Sequence, residues 1–231
     1  MLAEQGFPCP MPLTDVVFSS GFAVHAEEFV EAGEVETEDT PAAAERSAVL
    51  LADLVRRLAG FELDPPLPNP EWVRWESLPK RQAAAEVPAW IEDTSRRVGA
   101  KLAACRLPPV LGHADWEAQN LRWLHGEPVA VHDWDSLAWL PEAALVGAAA
   151  GVFASHGTPT LAPVASSAAF LDAYERARGE DLSPYEHEIA WAASVLVALY
   201  DARDEVILGR PRVSYERLKA QRVERLARAQ V

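Results

Sequence analysis

Apolar positions change their spacing three times along the chain. Val16-Val17-Phe18 and Phe22-Ala23-Val24 flank Ser19-Ser20-Gly21, two short apolar runs around turn residues, and predict a β-hairpin. The preceding "GFPCPMPLTD" is too rich in proline for a helix. From Thr40 the period becomes helical. Thr40 is a capping residue, Pro41 suits the first helical position, and Leu50, Leu51, Leu54, Val55 and Leu58 form an apolar stripe that Gly60 should end. "ELDPPLPNPEW" then reads as a proline-broken loop in which Trp72, with Trp75 just beyond, should pack. A further helix is predicted over 88–105, with Ile91, Val98 and Leu102 on one face.

The middle of the chain is β-like. Strands are expected at 109–113, 121–123 and 129–132, with "HGEP" turning between the last two. After Pro141 the pattern is helical almost to the end. Ser183 and Glu186 around Pro184 make a capping box, Gly209 and Pro211 stop that helix, and a basic amphipathic helix over 214–228 closes the chain, its arginines read as a solvated face. The order predicts an α+β, mainly helical chain with a small β patch at its centre.

Composition changes this picture little. At 231 residues the chain can bury a full core, and 49% hydrophobic and 24% charged residues are ordinary for a globular protein. The formal charge of -14 argues against a nucleic-acid partner, since phosphate backbones require a basic face. The acidic stretch from Glu27 to Asp39 reads as a solvated loop. Cys9 and Cys105 are far apart and lack metal-type spacing, which points to a reducing compartment. The longest apolar stretch, Ala143 to Ala154, is too short to span a bilayer, so a cytoplasmic protein without a membrane partner is expected. Oligomeric state leaves no trace in the pattern.

Candidate chemistry is concentrated in "LGHADWEAQNLRW" and "VAVHDWDSL". Asp115 and Asn120 lie five apart on a loop between two strands, and Asp133 and Asp135 lie just past a third. Pairing of the second and third strands brings Asn120 beside Asp133. Two hard oxygen donors with a carboxylate nearby suit Mg²⁺ that keeps waters and substrate phosphates. Asp115 is then free to take a proton from an attacking hydroxyl, and the set fits phosphoryl transfer.

"HADWEAQN" followed by "VAVHDWD" resembles the catalytic loop and metal-binding segment of the aminoglycoside phosphotransferase and choline kinase family. The resemblance implies a protein-kinase-like C-lobe, residues 34–231, behind a remnant of the N-lobe β-sheet and hinge in residues 1–33. It implies Asp115 as catalytic base, Asn120 and Asp133 as Mg²⁺ ligands, His113 as a support of the loop, and Asp135 as a second acidic position of variable role. ATP would be the phosphoryl donor and a small-molecule hydroxyl the acceptor. Asp201, Asp204 and Glu205 would offer acidic contacts to a cationic group on it. Ala114 stands where the family commonly has glycine, and His132 where it has isoleucine or valine. The family's phosphate-covering loop, strand lysine and helix glutamate would all fall before Met1, and the first lysine here is Lys80. Weak or absent turnover is therefore expected of the chain as it stands.

Two other classes compete. A kinase-fold binding module without catalysis would account for the missing clamp but not for the retained Asp115, Asn120 and Asp133. A metal-dependent hydrolase using His113, Asp115, His132 and Asp133 would leave Asn120 without a role, and strand alternation sends His132 and Asp133 to opposite faces. No G-x-S-x-G elbow supports a serine hydrolase.

Overall fold

The computed structural model describes residues 2–59, 61 and 87–231. The expected helix stop at Gly60, together with Trp72, Trp75 and Lys80, lies outside the described residues. Strands β1 (Val17–Ser19) and β2 (Phe22–Val24) form the expected hairpin, and every residue in them is exposed. The acidic stretch beyond it is loop, tied down where Glu34 and Trp123 exchange backbone hydrogen bonds of 2.8 and 2.9 Å, where the Glu28 N–H meets the Met11 carbonyl, and where Asp39 pairs with Arg217.

Helix α1 (Pro41–Leu58) starts as its sequence indicates. Pro41 occupies the first turn, and Thr40 Oγ1 accepts a hydrogen bond from the Ala43 N–H at 3.3 Å. Its apolar stripe faces inward, with Leu51 and Leu54 wholly buried. Helix α2 (Ala89–Ala104) follows, then the β patch: β3 (Pro109–His113), β4 (Leu121–Leu124), β5 (Glu127–Val131) and β6 (Leu137–Pro141). β6 was not foreseen. It pairs antiparallel with β3, from His113↔Leu137 to Pro109↔Pro141. Its alternation is plain, with Ala138 and Leu140 buried between half-buried neighbours, but five residues running straight into a helix give periodicity little length to work with.

The remaining helices are α3 (Glu142–Val152), α4 (Val164–Arg178), α5 (Pro184–Ile207) and α6 (Val213–Arg228). All of α3 after Glu142 is buried. Its Ala- and Gly-rich composition reflects close contact with α5. A Cβ at Gly147 would run into the Ala190 carbonyl oxygen, and one at Gly151 into that of Ser194. The capping box at Ser183 is formed in full. The arginines of α6 are not all solvated, however. Arg225 is 0% exposed, lies over the Trp191 ring, and donates to Ser194 Oγ, Ser167 Oγ, Gln221 Oε1 and the Ala162 carbonyl. Burial lowers its guanidinium to about 9. A basic residue on an otherwise polar helix gives no sign in sequence that it faces inward.

Candidate active site

The β3–β6 ladder and the β4–β5 hairpin meet at the polar cluster. β3 ends at His113, whose buried ring sits under the loop. Burial depresses its pKa, partly opposed by the nearby Asp115 and Asp133 carboxylates and by the His132 carbonyl. The neutral imidazole donates from Nε2 to the His132 carbonyl (2.9 Å) and accepts the Asp115 N–H at Nδ1 (3.3 Å). Both nitrogens are engaged by backbone, so His113 has no lone pair for a metal. That removes a ligand from the hydrolase reading.

Asp115 is half-buried at the start of a turn that closes at Asn120. Asn120 Nδ2 donates to the Asp115 carbonyl (2.8 Å) and to Asp115 Oδ2 (3.0 Å). With its two N–H groups on Asp115, the amide leaves Oδ1 as the oxygen available to a ligand. β4 begins at the next residue and runs antiparallel to β5, with Leu121 opposite Val131. The His132 N–H donates to the Asn120 carbonyl at 2.8 Å, so the hairpin base lies beside Asn120. Asp133 follows in the left-handed region, φ 67°, which turns its exposed carboxylate away from the strand. Ser136 Oγ donates to Asp133 Oδ2 at 3.4 Å.

Asp135 is also exposed, and its pKa is raised by a hydrogen bond with, and the charge of, Asp133. The two carboxylates face one another, as oxygen donors around a cation do. Among the described residues no three of the His, Cys, Asp and Glu side chains gather into a cage. A donor set of Asn120, Asp133 and Asp135 fits an ion that keeps water and phosphate ligands, as Mg²⁺ does.

Sequence reading missed Glu117. Burial, with Asp115 and Asp201 nearby, raises its carboxyl to about 8, and burial with Glu205 and Asp204 raises Asp201 to about 7. Asp201 thus lies close enough to Glu117 for the two charges to interact. Glu205 has another task. Its carboxylate is buried and accepts the Ser214 and Tyr215 N–H groups at 2.8 and 2.9 Å, capping α6. A glutamate two residues after Asp115 gives a sequence signal only once the loop is known to fold inward. A cavity of about 830 Å³ lies elsewhere, between α1, α4 and the β4–β5 turn, lined by Val49, Leu50, Trp123, Pro128, Ala173 and Arg176 among others and by none of the clustered polar residues.

A helical body carrying a catalytic-type loop and an acidic hairpin end defines a kinase-like phosphotransferase. A family model described as "Phosphotransferase enzyme family" matches residues 1–187, and the chain belongs to that family. No curated protein matches the sequence. Among solved structures, a choline/ethanolamine kinase family protein from Mesorhizobium loti is 17% identical with a TM-score of 0.61, over 99% of this chain and 75% of that one. The amicoumacin kinase hAmiN, in complex with AMP-PNP, Ca²⁺ and Ami, is 13% identical with a TM-score of 0.63, over 99% of this chain and 74% of that one. The choline kinase LicA from Streptococcus pneumoniae is 16% identical with a TM-score of 0.55, over 98% and 77%. At these identities the likeness is one of fold. No helix among the described residues is long and apolar enough to cross a membrane.

Proposed function

We propose that this chain is a small-molecule kinase in which Asp115 accepts the proton of an acceptor hydroxyl, while Asn120 and Asp133 hold Mg²⁺ against the phosphates of ATP. The observation that carries the reading is the double engagement of Asn120. Its N–H groups fix Asp115, while its backbone carbonyl takes the His132 N–H, so the residue stands beside the hairpin end where Asp133 begins. The bound nucleotide and ion would supply the γ-phosphoryl group and neutralise its charge. Asp115 orients the hydroxyl and takes its proton. Asp135 shares the charge of Asp133. Glu117 and Asp201, raised to about 8 and about 7 mainly by burial, would ionise beside a cationic group, which favours an acceptor carrying an amine. A nucleotide analogue and a divalent cation in the similarly folded amicoumacin kinase support the same assignment.

Slow turnover is part of the proposal. Kinases cover the phosphates with a β-layer, and here every residue of β1 and β2 is exposed. That same exposure favours, as a second reading, a nucleotide-binding module without catalysis. Calorimetry with Mg·ATP separates the cases. The wild type and Asp115→Asn should bind alike, and Asp133→Asn should not. Any phosphoryl transfer should fall about 10²–10⁴-fold in Asp115→Asn. Equal binding by Asp133→Asn would sink the metal assignment, and binding without transfer to any hydroxyl acceptor would select the second reading.

A further inference from the structure

Asp-Trp occurs twice in the cluster, as Asp115-Trp116 and Asp133-Trp134. In each pair the indole lies deeper than the carboxylate: Trp116 is buried beside half-buried Asp115, and Trp134 is half-buried beside exposed Asp133. Trp116 is 1% exposed and packs edge-on against the His113 ring, centroids 5.7 Å apart at 74°. Trp134 packs edge-on against the same ring, 5.8 Å away at 73°.

We propose that Trp116, His113 and Trp134 form a clamp that sets the separation of Asp115 and Asp133, the two tryptophans acting as positioning residues. The imidazole is joined to the backbone on both sides, through the Asp115 N–H and the His132 carbonyl. A shift of either indole therefore tilts the ring that holds the other loop. The outer ends are braced. Trp116 Nε1–H donates to Ser47 Oγ at 2.9 Å, and Trp134 Nε1–H to the Val131 carbonyl at 3.0 Å. Phe7 lies edge-on to Trp134 at 6.1 Å, with the Arg57 guanidinium 5.9 Å from the Phe7 ring centre. Ser47 and Arg57 belong to α1, so one helix backs both ends of the clamp. The benefit is geometric: a misplacement of about 1 Å between reacting groups costs roughly 10²-fold in rate.

The functional meaning rests on the assignment of Asp115 as base and Asp133 as metal ligand; the coupling of the two loops does not. The test is amide NMR of the full chain without metal. Trp134→Leu should shift the Asp115 N–H and raise its exchange about tenfold while the α5 amides keep their protection. Trp116→Leu should shift the Asp133 and Trp134 signals. Phenylalanine at either position, which keeps a ring edge, should restore most of the wild-type spectrum. If Trp116→Leu fails to fold, Trp116→Phe and Ser47→Ala should still move the Asp133 signal slightly. Perturbations confined to the substituted loop would overturn the clamp. Mn²⁺ added alone then reads the separation: it should broaden the Asp115 signal in the wild type, and less in Trp134→Leu at equal Mn²⁺ occupancy. Equal broadening in the two would overturn the positioning role. No broadening in the wild type, with the reciprocal shifts intact, would instead overturn the metal assignment and leave the clamp standing.

Discussion

The hairpins β1–β2 and β4–β5 turn on the same kind of dipeptide. Ser20-Gly21 has φ values of 51° and 83°, His125-Gly126 of 52° and 84°, the positive pair that a two-residue turn of this hand needs. Their surroundings differ completely. In β1–β2, Phe18 is 84% exposed and Phe22 71%, whereas in β4–β5, Leu121 is 1% exposed and Ala130 and Val131 not at all. β4–β5 is also tied from outside, by the Pro8 carbonyl on the Val131 N–H at 2.8 Å and by Glu34 on Trp123. Turn chemistry is local and makes a hairpin in either place. Only burial and outside hydrogen bonds make one rigid enough to hold Asn120 and Asp133 in register.

The sharpest way to break the comparison is to remove apolar volume from the buried hairpin. Leu121→Ala should destabilise the chain by about 2–5 kcal/mol, seen as a lower urea midpoint at unchanged slope, because the core around it collapses only in part. A loss below about 1 kcal/mol would mean that β4–β5 is no better anchored than β1–β2.

The half that carries the polar cluster should also show a pH response. Glu117 titrates near 8 in the folded chain, above the 4.5 usual for a glutamate, so the folded state binds the proton more tightly. Its stabilising contribution is complete below about pH 4.5 and is lost as pH rises towards 8. Asp201, raised to about 7, acts with the same sign. Glu117→Gln should flatten the fall in urea midpoint between these limits, recovering on the order of 2 kcal/mol after allowance for its partial exposure. A curve as steep as the wild type's would show that the loop does not bury this carboxyl.

Which parts were readable in advance follows from the same contrast. Local signals were enough for β1–β2, for the capped starts of α1 and α5, and for the placing of Asn120 beside the end of β5, which depends on strand order alone. β6 escaped because its partner β3 lies 24 or more residues back, at His113↔Leu137 and beyond, and nothing in five residues announces that pairing. The burial of Glu117 and Arg225 escaped for a related reason. A charged residue turns inward only when tertiary partners, such as Ser194 and Ser167 for Arg225, are there to receive it.

Glycine substitution compares the two turns directly. Gly126→Ala and Gly21→Ala each place a Cβ at a φ of 84° or 83°, with open space around it, so the local strain should be alike, about 1 kcal/mol. Global stability should register it only for Gly126→Ala, because β4–β5 unfolds with the core. In β1–β2 the strain is released by local opening. Equal losses in urea midpoint would show β1–β2 to be part of the cooperative unit.

Phe18→Ser should do least of all. A ring 84% exposed has little burial to lose, so stability should stay within about 0.5 kcal/mol of the wild type. The substitution still informs, since the hairpin is apolar on each face: Val17, Phe22 and Val24 on one, Phe18 and Ala23 on the other. A change near zero means that Phe18 meets water in solution as it does in the structure. A loss above about 1 kcal/mol would mean that this face is covered in solution, and the difference between the two hairpins would then be one of occupancy rather than of design.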